Sequence, residues 1–189
     1  IRNMEDAGKI SAIGRAQALT EFNLAGTIIT ANENFLASLD DKLEEIQGKH
    51  HQMFVGPAER DSAAYREFWA KLGRGEYEAA EYKRFGKGGK EVWILASYNP
   101  ILDEAGKPFK VVKFASDITA DKLKAANYAG QIEAIGKSQA VIEFGMDGKV
   151  LTANANFLGA LGYSLAEIQG KHHSMFVPAD QRDNDAYRA

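Results

Sequence analysis

The feature that most constrains the fold of this chain is a long internal repeat. Residues 10–67 align without a gap with residues 132–189, and about half of the aligned positions are identical. The identical positions include rare residue types, such as the histidine that occurs as His50 and again as His172. Solenoid repeats are about 20 to 50 residues long, whereas this period is roughly 120 residues. The sequence therefore predicts one whole domain followed by the first half of a second copy.

The composition is that of a globular protein and excludes several classes of function. Hydrophobic residues make up 45% of the chain, charged residues 26%, and the net charge of −3 offers no excess of positive charge to nucleic acid. Because there is no cysteine, disulfides and cysteine-ligated zinc are excluded. No run of about 18 apolar residues predicts a membrane span, and no signal-peptide pattern is present. We expect a cytoplasmic protein, of which this chain is a piece.

The segments that precede each copy have the composition of helices. Residues 1–16 and 120–138 mix Ala, Lys and Glu with spaced Ile, Leu and Met, a pattern typical of helices that link domains. We interpret them as an N-terminal linker helix and a second linker helix, either solvated or packed as a coiled connector. The predicted domains are then residues 17–119 and residues 139–189.

Turn signals and hydrophobic periodicity order the elements within one repeat. Two short strands are predicted over residues 19–24 and 27–30, and the copy joins them with Asp147-Gly148, a strong hairpin signal. Short helices and an amphipathic helix over residues 61–72 follow. Three further strands are predicted over residues 77–85, 90–98 and 109–118. The predicted fold class is α+β, with a five-stranded antiparallel sheet and helices on one face.

Five phrases of the first repeat carry a resemblance to a known family. They are TANENF at residues 30–35, EIQGKHH at 45–51, KRFGKGGKEVWI at 83–94, ASYNPI at 96–101 and VKFASDIT at 112–119. In this order they resemble PAS domains, and specifically the tandem PAS modules of bacterial methyl-accepting chemotaxis receptors of the aerotaxis type. The resemblance covers residues 17–119 fully and residues 139–189 as a half.

The resemblance implies a sensory module rather than an enzyme, and no nucleophile elbow or base motif indicates catalysis. A ligand or redox state would pass through the connector helices to a downstream chemoreceptor signalling domain with its kinase and adaptor. Asp117 and Thr119 form the family's junction phrase and are able to cap the outgoing helix, so they are the predicted signal output. The alternative is a cofactor-free PAS module for dimerisation and protein interaction.

The resemblance also points to candidate cofactor-binding residues. Asn32 and Trp69 match positions that help to hold FAD in the aerotaxis receptor, but the VGPA stretch at residues 55–58 departs from the Arg-His-Pro-Asp of that receptor. His50 and His51 are the candidates for ligation of haem iron. FAD is the favoured cofactor if one is bound, and haem or no cofactor are the alternatives. No other metal site is predicted.

The second copy poses a folding problem, because this chain holds only two of its five predicted strands. Two strands and short helices bury too little apolar surface to be stable alone. We therefore expect residues 141–152 and the helices after them to pack on a neighbour, by edge pairing or strand exchange. A homodimer is the predicted assembly.

Overall fold

The fold is that of a computed structural model, which describes residues 2–182 and, of their side chains, those from residue 4 onward. The long helix predicted at the end of the second copy falls on residues 183–189, outside the described residues. Contacts divide the chain into two compact units, Ile1–Leu123 and Lys124–Ala189, each described here by itself. The predicted domain limits at residues 119 and 139 stay predictions. Among the described helices, none combines the length and the hydropathy needed to span a bilayer.

The first unit begins with a helix and a hairpin, continues with short helices, and ends with three long strands. Its helices are α1 (Arg2–Ala16), α2 (Glu33–Leu39), α3 (Leu43–Ile46), α4 (Pro57–Arg60) and α5 (Ala63–Gly73), with 3-10 turns at His51–Phe54 and Lys87–Gly89. Its strands are β1 (Ala18–Phe22), β2 (Ile28–Ala31), β3 (Glu78–Phe85), β4 (Glu91–Leu102) and β5 (Pro108–Asp117). Helix α6 (Thr119–Ser138) leaves this unit directly after β5.

The five strands of the first unit form one antiparallel sheet in the order β2-β1-β5-β4-β3, which confirms the predicted fold class. Alternate residues of β4 are buried, as expected for a sheet with one face on the core. The helices cover this inner face, and the core lies between the two layers. Its buried apolar members include Phe22, Ile28, Phe35, Leu39, Ile46, Phe54, Leu72, Val92, Ile94 and Val111.

The start of the amphipathic helix and the end of the fourth strand differ from the sequence-based prediction for local reasons. The helix predicted over residues 61–72 begins at Ala63, because the Ser62 hydroxyl caps it by accepting a hydrogen bond from Tyr65 N. The preceding residues form the separate helix α4, which Pro57 begins at a position suited to its missing N–H. The strand predicted over residues 90–98 extends to Leu102, since its ladder with β5 continues that far.

The described part of the second unit repeats the start of the first. It contains β6 (Ile142–Phe144), β7 (Val150–Ala153), α7 (Ala155–Leu161) and α8 (Leu165–Ile168), followed by a 3-10 turn at His173–Phe176. Strands β6 and β7 form the predicted hairpin. Asn154 caps α7 by accepting a hydrogen bond from Phe157 N. The predicted packing of this unit on a neighbouring chain stays a prediction.

Candidate functional site

A cavity of about 180 Å³ lies between the inner face of the sheet and α2 in the first unit. Its wall is mostly apolar, and the larger apolar side chains on it are Phe35, Leu39, Phe54 and Ile94. The charged residues on the wall are Arg84, Lys113 and Asp117. A mostly apolar, concave space with a few polar groups is the usual form of a small-molecule site.

Lys113 places an ammonium group in the middle of the protein. It lies on the central strand β5, directly opposite Thr20 of β1 and Tyr98 of β4, and it is 2% exposed. Its Nζ lies 5.3 Å from the ring centroid of Phe35 and 5.2 Å from that of Tyr98. Among the described residues, none forms a hydrogen bond or an ion pair with Nζ. Burial, and secondly the Arg84 cation, holds the pKa of Lys113 well below its usual value.

Arg84 is the second buried cation on the wall, and it is only partly compensated. Its Nη1 donates to the carboxylate of Glu59 at 3.2 Å and to the carbonyl oxygen of Lys83 at 2.9 Å. Its guanidinium carbon lies 4.6 Å from the ring centroid of Tyr82, within the range of a cation–π contact. Its Nε is buried without a hydrogen-bond partner among the described residues. The cavity therefore faces two buried basic side chains.

Behind the cavity, a buried histidine bridges two tyrosines. His51 is fully buried, with Nδ1 2.9 Å from the hydroxyl of Tyr65 and Nε2 3.0 Å from the hydroxyl of Tyr98. Burial is the main cause that holds the pKa of His51 well below its usual value, and the cations of Lys113 and Arg84 add to it. A neutral ring has one N–H and one free nitrogen, so it donates to one tyrosine and accepts from the other.

The side chain of Asn32, predicted as a flavin contact, forms hydrogen bonds with backbone groups of the same chain. Its Oδ1 accepts hydrogen bonds from Leu19 N at 2.9 Å and Phe35 N at 3.0 Å. Its Nδ2 donates to the carbonyl oxygens of Gly14 at 2.8 Å and Gln17 at 2.9 Å. One side chain thus joins the end of α1, the start of β1 and the start of α2, and it does not line the cavity.

His50 and Trp69 lie near each other but also outside the cavity wall. The Nε2 of His50 donates to the carbonyl oxygen of Ala25 at 2.7 Å, and its Nδ1 accepts from Gln52 N at 3.1 Å. The indole of Trp69 lies 5.9 Å from the His50 ring and packs edge-on against Phe22 at 5.7 Å. The structure therefore brings together His50, His51 and Trp69, and leaves Asn32 apart from them.

These placements bear on the two cofactors that the resemblance implies. In this arrangement His51 does not fit a haem ligand, because both ring nitrogens already contact tyrosine hydroxyls. Both ring nitrogens of His50 are engaged as well. Pockets for drug-sized ligands measure roughly 300–1,000 Å³, so this cavity suits a molecule smaller than a flavin. The four candidate residues stay predictions as cofactor contacts.

The predicted output residues connect the cavity to α6. Asp117, on the cavity wall, accepts a hydrogen bond from Thr119 N at 2.8 Å, and Thr119 is the first residue of α6. The Thr119 hydroxyl in turn accepts a hydrogen bond from Trp93 N of β4 at 3.0 Å. Lys122 of α6 forms an ion pair with Glu81 of β3. The first turn of the helix is therefore bonded to β4 and to β3, the strand on the far side of β4 from β5.

Sequence reasoning did not identify Lys113 and Arg84 as site residues. The available signal was the alternation along β5, where Val111, Lys113 and Ala115 share the inward face. An ionisable residue at an inward position of a central strand is rarely buried without a pair. That Lys113 and Arg84, from different strands, line the same cavity is visible only in the folded chain.

Comparisons with known proteins agree with this architecture. Residues 28–115 match a family model described as PAS fold, and residues 139–189 match one described as PAS domain. A relative from Pseudomonas aeruginosa, the biofilm dispersion protein BdlA, is 40% identical over 178 residues. That match covers 94% of this chain and 43% of the relative, so the chain spans less than half of the relative's length.

Solved structures support the fold alone, because their sequence identities are low. The PAS domain of a protein from Colwellia psychrerythraea has a TM-score of 0.53 at 21% identity, covering 60% of this chain and 97% of that one. A light-oxygen-voltage domain studied with a flavin analogue has a TM-score of 0.52 at 20% identity, covering 67% and 96%. Segments 28–115 and 139–189 of this chain are therefore similar to PAS domains, and the first unit has the PAS fold.

Proposed function

We propose that the first unit is the sensory PAS module of a chemotaxis-type receptor, which passes the state of its cavity to α6. The observation that carries this proposal is the position of Asp117. Asp117 is on the cavity wall, and its carboxylate accepts a hydrogen bond from the first residue of α6. A change in the cavity therefore reaches the helix through one side chain.

The transmission is short because β5 runs directly into α6. Lys113 and Asp117 lie four residues apart on the inward face of β5, so a displacement at the first moves the second. The bond from Trp93 N to the Thr119 hydroxyl ties the helix start to β4. A shift of β5 against β4 would strain or break this bond, and α6 would change its direction or its first turn. In this proposal the junction is the two-state element that a ligand in the cavity would bias.

The similarity to BdlA suggests a role for the whole protein. BdlA of Pseudomonas aeruginosa is named for biofilm dispersion, and we propose that this chain belongs to a cytoplasmic signalling protein of comparable design. A downstream chemoreceptor signalling domain with its kinase and adaptor would receive the signal. The module itself would carry out no catalysis.

Replacing the Thr119 hydroxyl tests the junction. In Thr119→Val, we expect faster amide hydrogen exchange at Trp93 and in the first turn of α6, because Trp93 N loses its acceptor and the helix start loses its tie to β4. The measurement is hydrogen exchange read by mass spectrometry or NMR. We expect exchange at Trp93 to accelerate about tenfold, the effect of losing roughly 1.4 kcal/mol of local protection.

The matched control is Thr119→Ser, which keeps the acceptor oxygen and should exchange at the wild-type rate. In the full-length protein, Thr119→Val should change the signalling output, and Thr119→Ser should change it less. Unaltered exchange in both variants, or an unaltered output in Thr119→Val, would contradict the proposed route.

A role in dimerisation is the second candidate, and the exposed face of α6 favours it. Tyr128, Ile132 and Ile135 are exposed and spaced four and three residues apart, so they form one apolar stripe. We expect a homodimer by light scattering at micromolar concentration, and Ile132→Lys should shift it toward monomer. Ala126→Lys, on the opposite side of the same helix, should leave the mass unchanged. A monomeric wild-type chain would refute this role.

A further inference from the structure

The cavity of the first unit has two basic side chains and few acidic groups to pair with them. Among the described residues no carboxylate pairs with Lys113, and Arg84 pairs with the carboxylate of Glu59, whose own side chain is 46% exposed. The acid on the wall, Asp117, already accepts a hydrogen bond from the backbone of α6. An isolated ammonium in an apolar interior is costly, and such groups either lose their proton or bind an anion.

Two further polar groups on the inner face of the sheet also lack partners. The hydroxyl oxygen of Thr20, directly across from Lys113 on β1, is buried without a hydrogen-bond partner among the described residues, and so is Arg84 Nε. Three polar groups on one face of the sheet therefore have unused hydrogen-bonding capacity. Buried polar groups are normally bonded to protein, water or ligand.

The rest of the wall limits what the anion is. Phe35, Leu39, Phe54 and Ile94 present hydrocarbon to the cavity, so a highly charged or strongly hydrated anion would lose its hydration there without replacement. The volume of about 180 Å³ is well below the roughly 300 Å³ at which pockets for drug-sized ligands begin. A single carboxylate on a small apolar body matches both properties.

We propose that this cavity binds a small apolar monocarboxylate, whose carboxylate is held by Lys113 with Arg84 nearby and whose hydrocarbon body packs against Phe35 and Phe54. This inference names the ligand class of the sensory site proposed above and rests on that proposal for its biological meaning. The charge-assisted hydrogen bond to the carboxylate would be the main source of specificity, because a neutral amide of the same shape cannot accept it as strongly.

Calorimetric titration of the 189-residue chain tests the proposal with defined probes. The probes are benzoate and isovalerate, with benzamide and isovaleramide as neutral isosteres and inorganic phosphate as a small hydrated anion. We expect at least one carboxylate to bind about tenfold or more tightly than its amide, and phosphate not to bind. Binding of neither carboxylate would overturn the proposal, and binding of phosphate alone would overturn the carboxylate class.

Two lysines of the same strand provide a matched pair of variants. Lys113→Met removes the inward charge at nearly constant length and should weaken carboxylate binding by about tenfold or more. Lys110→Met removes a charge that is paired with Glu21 outside the cavity wall, and it should leave the affinity within twofold. Because Lys113→Met also removes an unpaired buried charge, its thermal unfolding midpoint should not fall. Equal carboxylate affinity in both variants would refute the role of Lys113.

Two measurements distinguish a failure of the proposed ligand class from a failure of the proposed sensory route. Amide exchange of α6, measured with and without benzoate, reports on output, whereas calorimetry reports on binding. Carboxylate binding with unchanged exchange in α6 would leave the ligand class standing and refute the sensory route. Absence of carboxylate binding, with an altered output in Thr119→Val, would refute the ligand class and leave the sensory route standing.

Discussion

Replacing Gly86 by alanine is expected to destabilise the first unit by about 3 kcal/mol or more. Gly86 follows β3 and packs against the end of α2. A Cβ at this position would lie 2.3 Å from the carbonyl oxygen of Leu39 and 2.9 Å from its Cα. These are backbone atoms, so the overlap is relieved only by moving β3 or α2, and both help to enclose the cavity.

Tryptophan fluorescence during urea unfolding measures this effect in the first unit alone, because both tryptophans, Trp69 and Trp93, belong to it. Gly88→Ala is the matched control. It lies two residues away, has open space where its Cβ would be, and has a φ of 66°. It should cost only about 1 kcal/mol, the penalty for a left-handed backbone at a residue with a side chain. Equal losses in the two variants would show that the contact with Leu39 is not the cause.

Acid is expected to destabilise the first unit through His51, by up to about 1.4 kcal/mol per pH unit. The folded-state pKa of His51 is well below the ordinary 6.5, so below pH 6.5 the unfolded chain binds a proton that the folded chain does not. Stability therefore falls as the pH falls from about 6.5 toward the lowered folded-state pKa. Burial is the main cause of this lowered pKa, and the neighbouring basic side chains Lys113 and Arg84 add to it.

The test compares the slope of unfolding free energy against pH between 7 and 5. His51→Gln removes the titrating ring, so its slope should be shallower than that of the wild type by up to about 1.4 kcal/mol per pH unit. Leu72→Ala lowers stability by emptying part of the core, at about 2–5 kcal/mol, without removing a titrating group. It should keep the wild-type slope. A slope in His51→Gln as steep as in the wild type would contradict the assignment.

Local sequence patterns were sufficient to predict most of the fold. The Asp147-Gly148 signal predicts the hairpin of β6 and β7, which is observed. Asn32 is a residue type that favours a helix N-cap, and it caps α2 by accepting a hydrogen bond from Phe35 N. Such features depend on a few neighbouring residues, whose backbone preferences and hydrogen-bonding groups are visible in the sequence.

The candidate site was harder to predict, because its members are distant in sequence. Tyr65 and Tyr98 reach His51 from 14 and 47 residues away. The sequence identified His51 as chemically interesting, but it contained no sign that both ring nitrogens would meet tyrosine hydroxyls. The distances between the His51 nitrogens and the two hydroxyls depend on how α5 packs over the sheet.

By itself, the sequence determined that this chain repeats a domain of roughly 120 residues and that the domain is α+β. The internal repeat, the turn residues and the strand alternation are properties of the chain alone. Only the tertiary structure decided that Lys113 and Arg84 face the same cavity, where Glu59 pairs with Arg84 and no carboxylate of the described residues pairs with Lys113. The physical reason is that burial and ion pairing depend on which strands and helices meet, whereas alternation shows only which face of a strand a residue occupies.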